Sequence, residues 1–114
     1  MIIRNEQLEA MRAQMFKAMC ARLRRRLQAD PDLRGVDPAL IERETPEIVE
    51  DAASIGIKGD ADVYRLLRFR FRVEPILSSQ LIQSIVLRTL RRVDWSVDKR
   101  LTFLEQQVLP RVAL

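Results

Sequence analysis

The stretch that decides the fold is residues 64–73, YRLLRFRFRV, whose last seven residues alternate strictly between apolar side chains and arginines. Such alternation is typical of a half-buried strand, but here it covers only the tail of a longer helical pattern. Apolar residues also recur at helical spacing: Val63, Leu66, Leu67 and Phe71. Asp60 and Asp62 precede this run, where acidic residues stabilise the first turn of a helix. The stretch therefore predicts a helix over 60–72 with one apolar face.

The composition predicts a helical protein. Its 114 residues include only three glycines, and Leu, Ala, Arg and Glu, which favour helices, are abundant. The length suits a single helical domain over residues 1–114. No stretch approaches the roughly 20 apolar residues of a transmembrane helix, and charged residues interrupt the start of the chain where a signal peptide needs an apolar run. We therefore expect a cytoplasmic protein that makes no membrane contact.

Capping residues, prolines and apolar periodicity extend this prediction to an all-α, compact bundle of about five helices. The predicted helices are residues 5–28, 38–55, 60–72, 76–92 and 97–109. Thr45-Pro46 interrupts the second helix and leaves two alternatives, one kinked helix or two shorter ones. Pro110 should end the last helix. The fourth helix is apolar over more than half its circumference, so it is either central or keeps a second face for another chain.

Several chemistries are excluded by what the sequence lacks. Histidine is absent, so a His-based triad and a His-ligated zinc cannot form. The single cysteine, Cys20, has no partner for an internal disulfide and is best explained as a small buried hydrophobe. An acidic cluster could bind a cation, but its spacing resembles no calcium loop: Glu42, Glu44, Glu47, Glu50 and Asp51. We expect no enzymatic activity, no cofactor and no metal site.

Arginines on the third predicted helix form a candidate binding surface. Arg65, Arg68 and Arg72 follow at i, i+3 and i+7, so they share one face of a helix. Such a ridge could bind phosphates, or it could pair with the acidic cluster or face water. Pairing with acids or exposure to water is favoured over phosphate binding, because residues 30–62 hold ten acidic and three basic side chains. A helix-turn-helix motif fails at Asp62, which would be buried there without a partner. Nucleic acid is therefore not the expected partner.

Two apolar surfaces are candidates for binding a protein. Met11, Met15 and Met19 follow at i, i+4 and i+8, and methionine suits adaptable contacts with a partner helix. Ordinary core packing would explain the same row, and only exposure separates the two alternatives. Ile82 and Val86 are the corresponding candidates on the fourth helix.

Three segments resemble one family of small helical proteins encoded beside type VI secretion genes. The segments are MIIRNEQLEAM (1–11), ASIGIKGDADVYRLLRF (53–69) and LRRVDWSVDKRLTFLEQQVLP (90–110). Genes near members of that family encode the VgrG spike, PAAR-tipped effectors and effector chaperones. The chain departs from the family pattern in ETPEI (44–48) and in the arginine alternation. The resemblance implies an accessory or co-chaperone role and carries over no catalytic residue.

These observations lead to one expected function and its rivals. We expect a non-enzymatic adaptor or co-chaperone that binds an effector, its chaperone or both before type VI secretion. One rival is an immunity protein that blocks a toxin with the acidic cluster. Another is an arginine-rich regulator that binds nucleic acid, and pairing of the chain with itself stays open.

Overall fold

The structure is a computed structural model that describes residues 5–73 and 80–112. In chain order its elements are α1 (Asn5–Ala29), a 3-10 turn (Pro31–Leu33), α2 (Pro38–Ser54), α3 (Asp60–Val73), α4 (Gln80–Leu90), α5 (Val97–Phe103), a π-helical turn (Leu104–Val108) and α6 (Leu109–Val112). No β-strand occurs in either described range. The last three elements form one continuous helical segment, so the predicted all-α bundle of about five helices is confirmed. None of the helices within the described residues is long and apolar enough to cross a membrane.

Local sequence signals set both ends of α2. The Asp37 side chain accepts a hydrogen bond from the Ala39 amide at 2.9 Å and caps the start of the helix, with Pro38 in its first turn. Gly56 follows the helix with φ +87°, which glycine adopts without a steric penalty. That conformation lets the Ile57 amide donate back to the Ala52 carbonyl at 2.9 Å, which closes a Schellman cap.

Pro46 does not break α2. The helix runs without interruption from Pro38 to Ser54, which decides between the two alternatives in favour of one helix. Pro46 leaves the carbonyl of Glu42 without its usual donor, and Glu42 is exposed, so solvent can satisfy that oxygen. On the buried side, the Thr45 hydroxyl donates to the Ile41 carbonyl at 2.6 Å. The buried polar group is thus satisfied within the helix.

The last helix does not end before Pro110, as the sequence predicted, but continues to Val112. Its hydrogen bonds first change to the wider π-helical pattern, in which the Leu109 amide donates to the Leu104 carbonyl, five residues back. Proline fits a helical φ, and the carbonyl four residues before it belongs to exposed Gln106. The missing donor therefore costs little there. For the fourth predicted helix, α4 lies within the predicted bounds, and residues 76–79 lie outside the described residues.

α3 is the central element, because it is buried on both sides. One hydrophobic cluster packs α3 against α1 and α2, and it includes Val63, Leu67 and Phe71. A second cluster packs α3 against α4 and the last helical segment, and it includes Phe69 and Val73. The predicted single apolar face is therefore wrong. The FRFRV alternation supplies apolar residues to opposite sides of one helix, since residues two apart differ by about 200° in direction.

Arg100 connects three helices from a buried position. Arg100 is only 4% exposed. Nη1 donates to the Leu90 carbonyl at 2.8 Å and to the Ile55 carbonyl at 3.0 Å, at the C-terminal ends of α4 and α2. A cation is favoured there because helix C-termini carry partial negative charge and unpaired carbonyls. Arg100 thus ties α5 to the ends of both helices.

Candidate protein-docking surfaces

The first half of α1 extends beyond the rest of the bundle. Arg24 of α1 contacts Glu42 near the start of α2 at 3.8 Å, whereas Phe16 lines a small cavity with Ala53 near its end. The two helices therefore run antiparallel, and α1 continues past the end of α2 at residues 5–15. Every residue from 5 to 18 is exposed. At 1.5 Å per residue, this overhang is about 16 Å long.

The predicted methionine row crosses from this overhang into the bundle. Met11 is 53% and Met15 69% exposed, while Met19 is half-buried and packs against the first hydrophobic cluster. Of the two alternatives, core packing therefore holds only for Met19. Leu8 and Phe16 add further exposed apolar area on the same helix.

Helix geometry explains why the row leaves the core. Residues spaced by four rotate about 40° around a helix of 3.6 residues per turn. Met11 therefore lies about 120° around α1 from Leu23, which is fully buried. The apolar row is continuous along the sequence but not on one face. The exposed part of α1, which we call the α1 overhang (residues 5–15), presents large apolar side chains that the bundle leaves uncovered.

A small cavity lies where the overhang meets the bundle. It has a volume of about 270 Å³. Its walls come from three helices and the turn before α3: Phe16, Met19, Val49, Glu50, Ala53, Ile57, Lys58 and Val63. A partner that covers the overhang would reach this apolar cavity directly.

Two of the three arginines in the predicted ridge are occupied within the fold. Arg65 donates to Asp98 at 2.8 Å and to Glu105 at 2.5 Å, so it joins α3 to the last helical segment. Arg68 donates to Asp30 at 2.9 Å and also pairs with Asp32. The predicted pairing with the acidic cluster on α2 is therefore wrong for these two side chains, because the 3-10 turn and the last helical segment lie closer.

Arg72 differs from the other two ridge residues. It is half-buried, and its side chain makes no hydrogen bond or ion pair with another residue in the described ranges. The ridge is therefore not a continuous cationic surface. Two of its three charges are neutralised by carboxylates, which weakens its attraction for phosphates.

Asp30 forms a compact polar site beside the ridge. It accepts hydrogen bonds from the Tyr64 hydroxyl at 2.6 Å, the Arg68 Nε at 2.9 Å and the Asp32 amide at 2.9 Å. Burial by itself would raise the pKa of Asp30, but these donors and the charge of Arg68 lower it below its ordinary value. Burial and the Asp30 carboxylate raise the pKa of Tyr64 to about 12. Arg26 stacks over the Tyr64 ring at 4.0 Å and completes the site.

The remaining sequence candidates divide between the surface and the interior. The acidic cluster on α2 stays largely exposed, and in the described ranges no three Asp, Glu or Cys side chains come together as a metal-binding group. Cys20 is buried, as predicted, and burial raises the pKa of its thiol. Asp62 lies 3.9 Å from Arg65 at the start of α3 and is partly exposed.

α4 is peripheral and keeps an uncovered apolar face. Val86 is buried and Ile82 is half-buried against the second hydrophobic cluster, so these two predicted contact residues face the core. Leu81 is 71% and Leu87 50% exposed. α4 is therefore not a central helix, and its exposed side carries apolar residues other than the two predicted.

A groove of about 820 Å³ lies between α2, α3 and α4. Its apolar surface comes from all three helices: Ile48, Ala52, Ile55, Leu66, Phe69, Val86, Leu87 and Leu90. Polar side chains line it at Asp51, Ser54, Arg70, Gln83 and Arg91. The groove follows the boundary between the two hydrophobic clusters, since Phe69 belongs to one and Leu66 to the other. We call it the α2–α4 groove.

Arg70 occupies an unusual position in this groove. It follows Leu66 by four residues and Val63 by seven, so it shares their apolar face of α3. It is half-buried, and within the described residues neither its side chain nor that of Arg91 has a hydrogen bond or ion pair. The helical spacing of Arg70 can be read from the sequence. Arg70 was not among the predicted binding residues, which were the three arginines on the opposite face of α3.

Comparison with known proteins finds no family model, no curated protein and no solved structure that matches this chain. Within the described residues, the α1 overhang, the exposed side of α4 and the α2–α4 groove are apolar surfaces open to solvent.

Proposed function

We propose that the protein is a non-enzymatic adaptor or co-chaperone that binds another protein through the α1 overhang. The observation that carries this proposal is the exposure of Met11 and Met15, two large apolar side chains on a part of α1 that no described element covers. Exposed apolar helical faces are covered by a partner helix in many recognition complexes. Methionine is well suited to such contacts, because its flexible side chain adapts to different surfaces.

The resemblance to accessory proteins of type VI secretion suggests the partner. We propose an effector, its chaperone or their complex, bound in the cytoplasm before loading onto the secretion spike. The internal pairing of Arg65 and Arg68 supports a protein partner over nucleic acid, since those charges already have carboxylate neighbours. The acids of α2 are largely exposed, so an immunity protein that blocks a toxin with them is the rival function. The experiment must distinguish this function from the adaptor function.

The test is co-purification after co-expression with a candidate effector and its chaperone. A double substitution, Met11→Gln with Met15→Gln, should reduce the retained partner at least about tenfold, because the apolar contact is lost. Its thermal stability should stay within about 0.5 kcal/mol of wild type, since both side chains are exposed.

The matched control places the same new residues on another face of the overhang. Ala10→Gln with Ala13→Gln should leave partner retention unchanged, because both positions are exposed and point away from the methionines. Equal retention by the methionine variant and wild type would rule out the overhang as the docking surface. Retention of an isolated toxin domain, with loss on substitution of Glu47 and Glu50, would establish the immunity function instead.

A further inference from the structure

We propose that the α2–α4 groove receives an acidic amphipathic helix of the partner protein, with a carboxylate placed against Arg70. This inference rests on the proposed function and specifies the chemistry of the partner. It concerns a surface separate from the α1 overhang, so the two can be tested independently.

The apolar side chains that three helices contribute to the groove favour a helix as its occupant. α2 and α4 both pack on α3, and the space between them is floored by Leu66 and Phe69. Leu87 stays 50% exposed along one wall, so the groove is open along α4. A helix laid there would contact the residues of both hydrophobic clusters, as a further helix of the bundle would.

The charge pattern of the groove specifies an acidic helix. Arg70 lies among apolar neighbours on α3, and it lacks a carboxylate partner within the described residues. Arg91 also lines the groove and has no ion pair within the described residues, but it is exposed, so the effect of burial applies to Arg70. Partial burial strengthens the interaction of a guanidinium group with a carboxylate, and the pair is bidentate when geometry allows.

One acid on the rim sets the orientation of the occupant. Asp51 of α2 also lines the groove. A helix with carboxylates on the side facing α3 and α4 and neutral or basic residues toward α2 would match this distribution. The opposite arrangement would bring like charges together, and such contacts disfavour wrong partners and wrong orientations.

A displayed library of randomised helical peptides of about 16 residues is the probe. Selection on the full-length protein, with counter-selection on an Arg70→Glu, Arg91→Glu variant, should enrich apolar residues at i, i+3 or i+4 and i+7 with Asp or Glu beside them. A synthetic peptide from the enriched set should bind the variant at least about tenfold more weakly than wild type.

The matched control changes the same charges elsewhere. Arg25 and Arg34 are exposed and have no ion pair within the described residues, so Arg25→Glu with Arg34→Glu should leave peptide affinity within about twofold. Arg70→Gln serves as a second groove variant, because it removes the charge without introducing an acid. Thermal melts of all variants should match wild type.

Three results would overturn the proposal. The first is a selection that enriches no sequence dependent on Arg70 and Arg91. The second is enrichment of basic helices. The third is single-stranded DNA that binds in an Arg70-dependent way while no peptide does. In each case the co-purification result for Met11 and Met15 would still decide the proposed adaptor function by itself.

Discussion

Four arginines of this protein place their charge in partly apolar surroundings, and they do so in three different ways. Arg65 and Arg68 meet carboxylates, Arg100 meets backbone carbonyls at helix ends, and Arg70 meets neither within the described residues. A guanidinium group needs several acceptors when it leaves water, so each arrangement has a different energetic consequence. The partners of Arg65, Arg68 and Arg100 give these residues a structural role. Arg70 has no such partner within the described residues and is the candidate for binding.

Replacing Arg100 should be among the most damaging arginine substitutions. Arg100→Met leaves the Ile55 and Leu90 carbonyls without their side-chain donor, so we expect the free energy of unfolding to fall by about 2–3 kcal/mol. Denaturant unfolding followed by circular dichroism measures the change. Arg25→Met is the matched control and should shift stability by less than about 0.5 kcal/mol, since Arg25 is exposed. Equal effects of both would remove the role of Arg100 as a connection between helices.

The Tyr64–Asp30 contact makes a prediction about alkaline pH. The pKa of Tyr64 is raised to about 12, so the folded state holds the phenolic proton more tightly than the unfolded chain, where the pKa is about 10. This contribution to stability is present below about pH 10 and is lost as pH rises toward 12. Tyr64 is the one tyrosine in the chain, so absorbance at alkaline pH follows it directly.

The control for this titration is Asp30→Asn, which removes the carboxylate but keeps the burial. The absorbance midpoint should fall partway toward 10 in that variant, because burial still favours the neutral phenol. A wild-type midpoint near 10, with the protein still folded by circular dichroism, would contradict the contact.

At the scale of elements, neighbouring residues on one helix have opposite environments. On α4, Val86 is 5% exposed and packs into the second cluster, whereas Leu87 is 50% exposed on the wall of the α2–α4 groove. The sequence marks both as apolar and gives no further distinction. They differ because Val86 lies on the side of α4 that packs into the second cluster, with α3 and the last helical segment, and Leu87 does not.

Alanine substitutions should reveal this difference within α4. Val86→Ala removes two methyl groups from a packed site, and we expect a loss of about 2 kcal/mol in the free energy of unfolding. Leu87→Ala removes more carbon but from an exposed site, so the loss should stay below about 0.5 kcal/mol. Chemical denaturation of the two variants side by side tests this. A larger loss for Leu87→Ala would mean that the groove is closed in the free protein.

At the scale of the whole molecule, α3 joins two hydrophobic clusters that share few other residues. Phe71 packs toward α1 and α2, and Phe69 packs toward α4 and the last helical segment. Leu90 is partly buried against both clusters, and Arg100 adds polar contacts across the same boundary. We expect these connections to make the bundle unfold as one unit.

Conservative substitutions in the two clusters should therefore affect one common transition. Phe69→Leu and Phe71→Leu should each lower the unfolding free energy by about 1–2 kcal/mol, because each changes the shape of a packed site. Fluorescence of Trp95, which packs edge-on against Phe103 at 5.7 Å, should change together with far-UV circular dichroism. Separate transitions for the two probes in either variant would show that the clusters unfold independently.

The sequence alone determined the helices, because their ends depend on local chemistry. The caps at Asp37 and Gly56 and the acids in the first turn of α3 each act within one turn of the helix they stabilise. The prediction that Pro110 ends the last helix was wrong, because a widened turn and solvent-exposed carbonyls accommodate the proline. The all-α class and the burial of Cys20 also followed from composition and periodicity.

Only the tertiary structure decided which apolar and charged residues remain available to a partner. Spacing cannot tell Met15 from Met19, because both belong to one row on the same helix, and it cannot show that Arg68 has carboxylate partners. The antiparallel packing of α1 on α2 leaves the overhang uncovered, and Asp30 reaches Arg68 only because the 3-10 turn folds beside α3. Exposure and ion pairing depend on residues distant in sequence, so they are properties of the packed bundle.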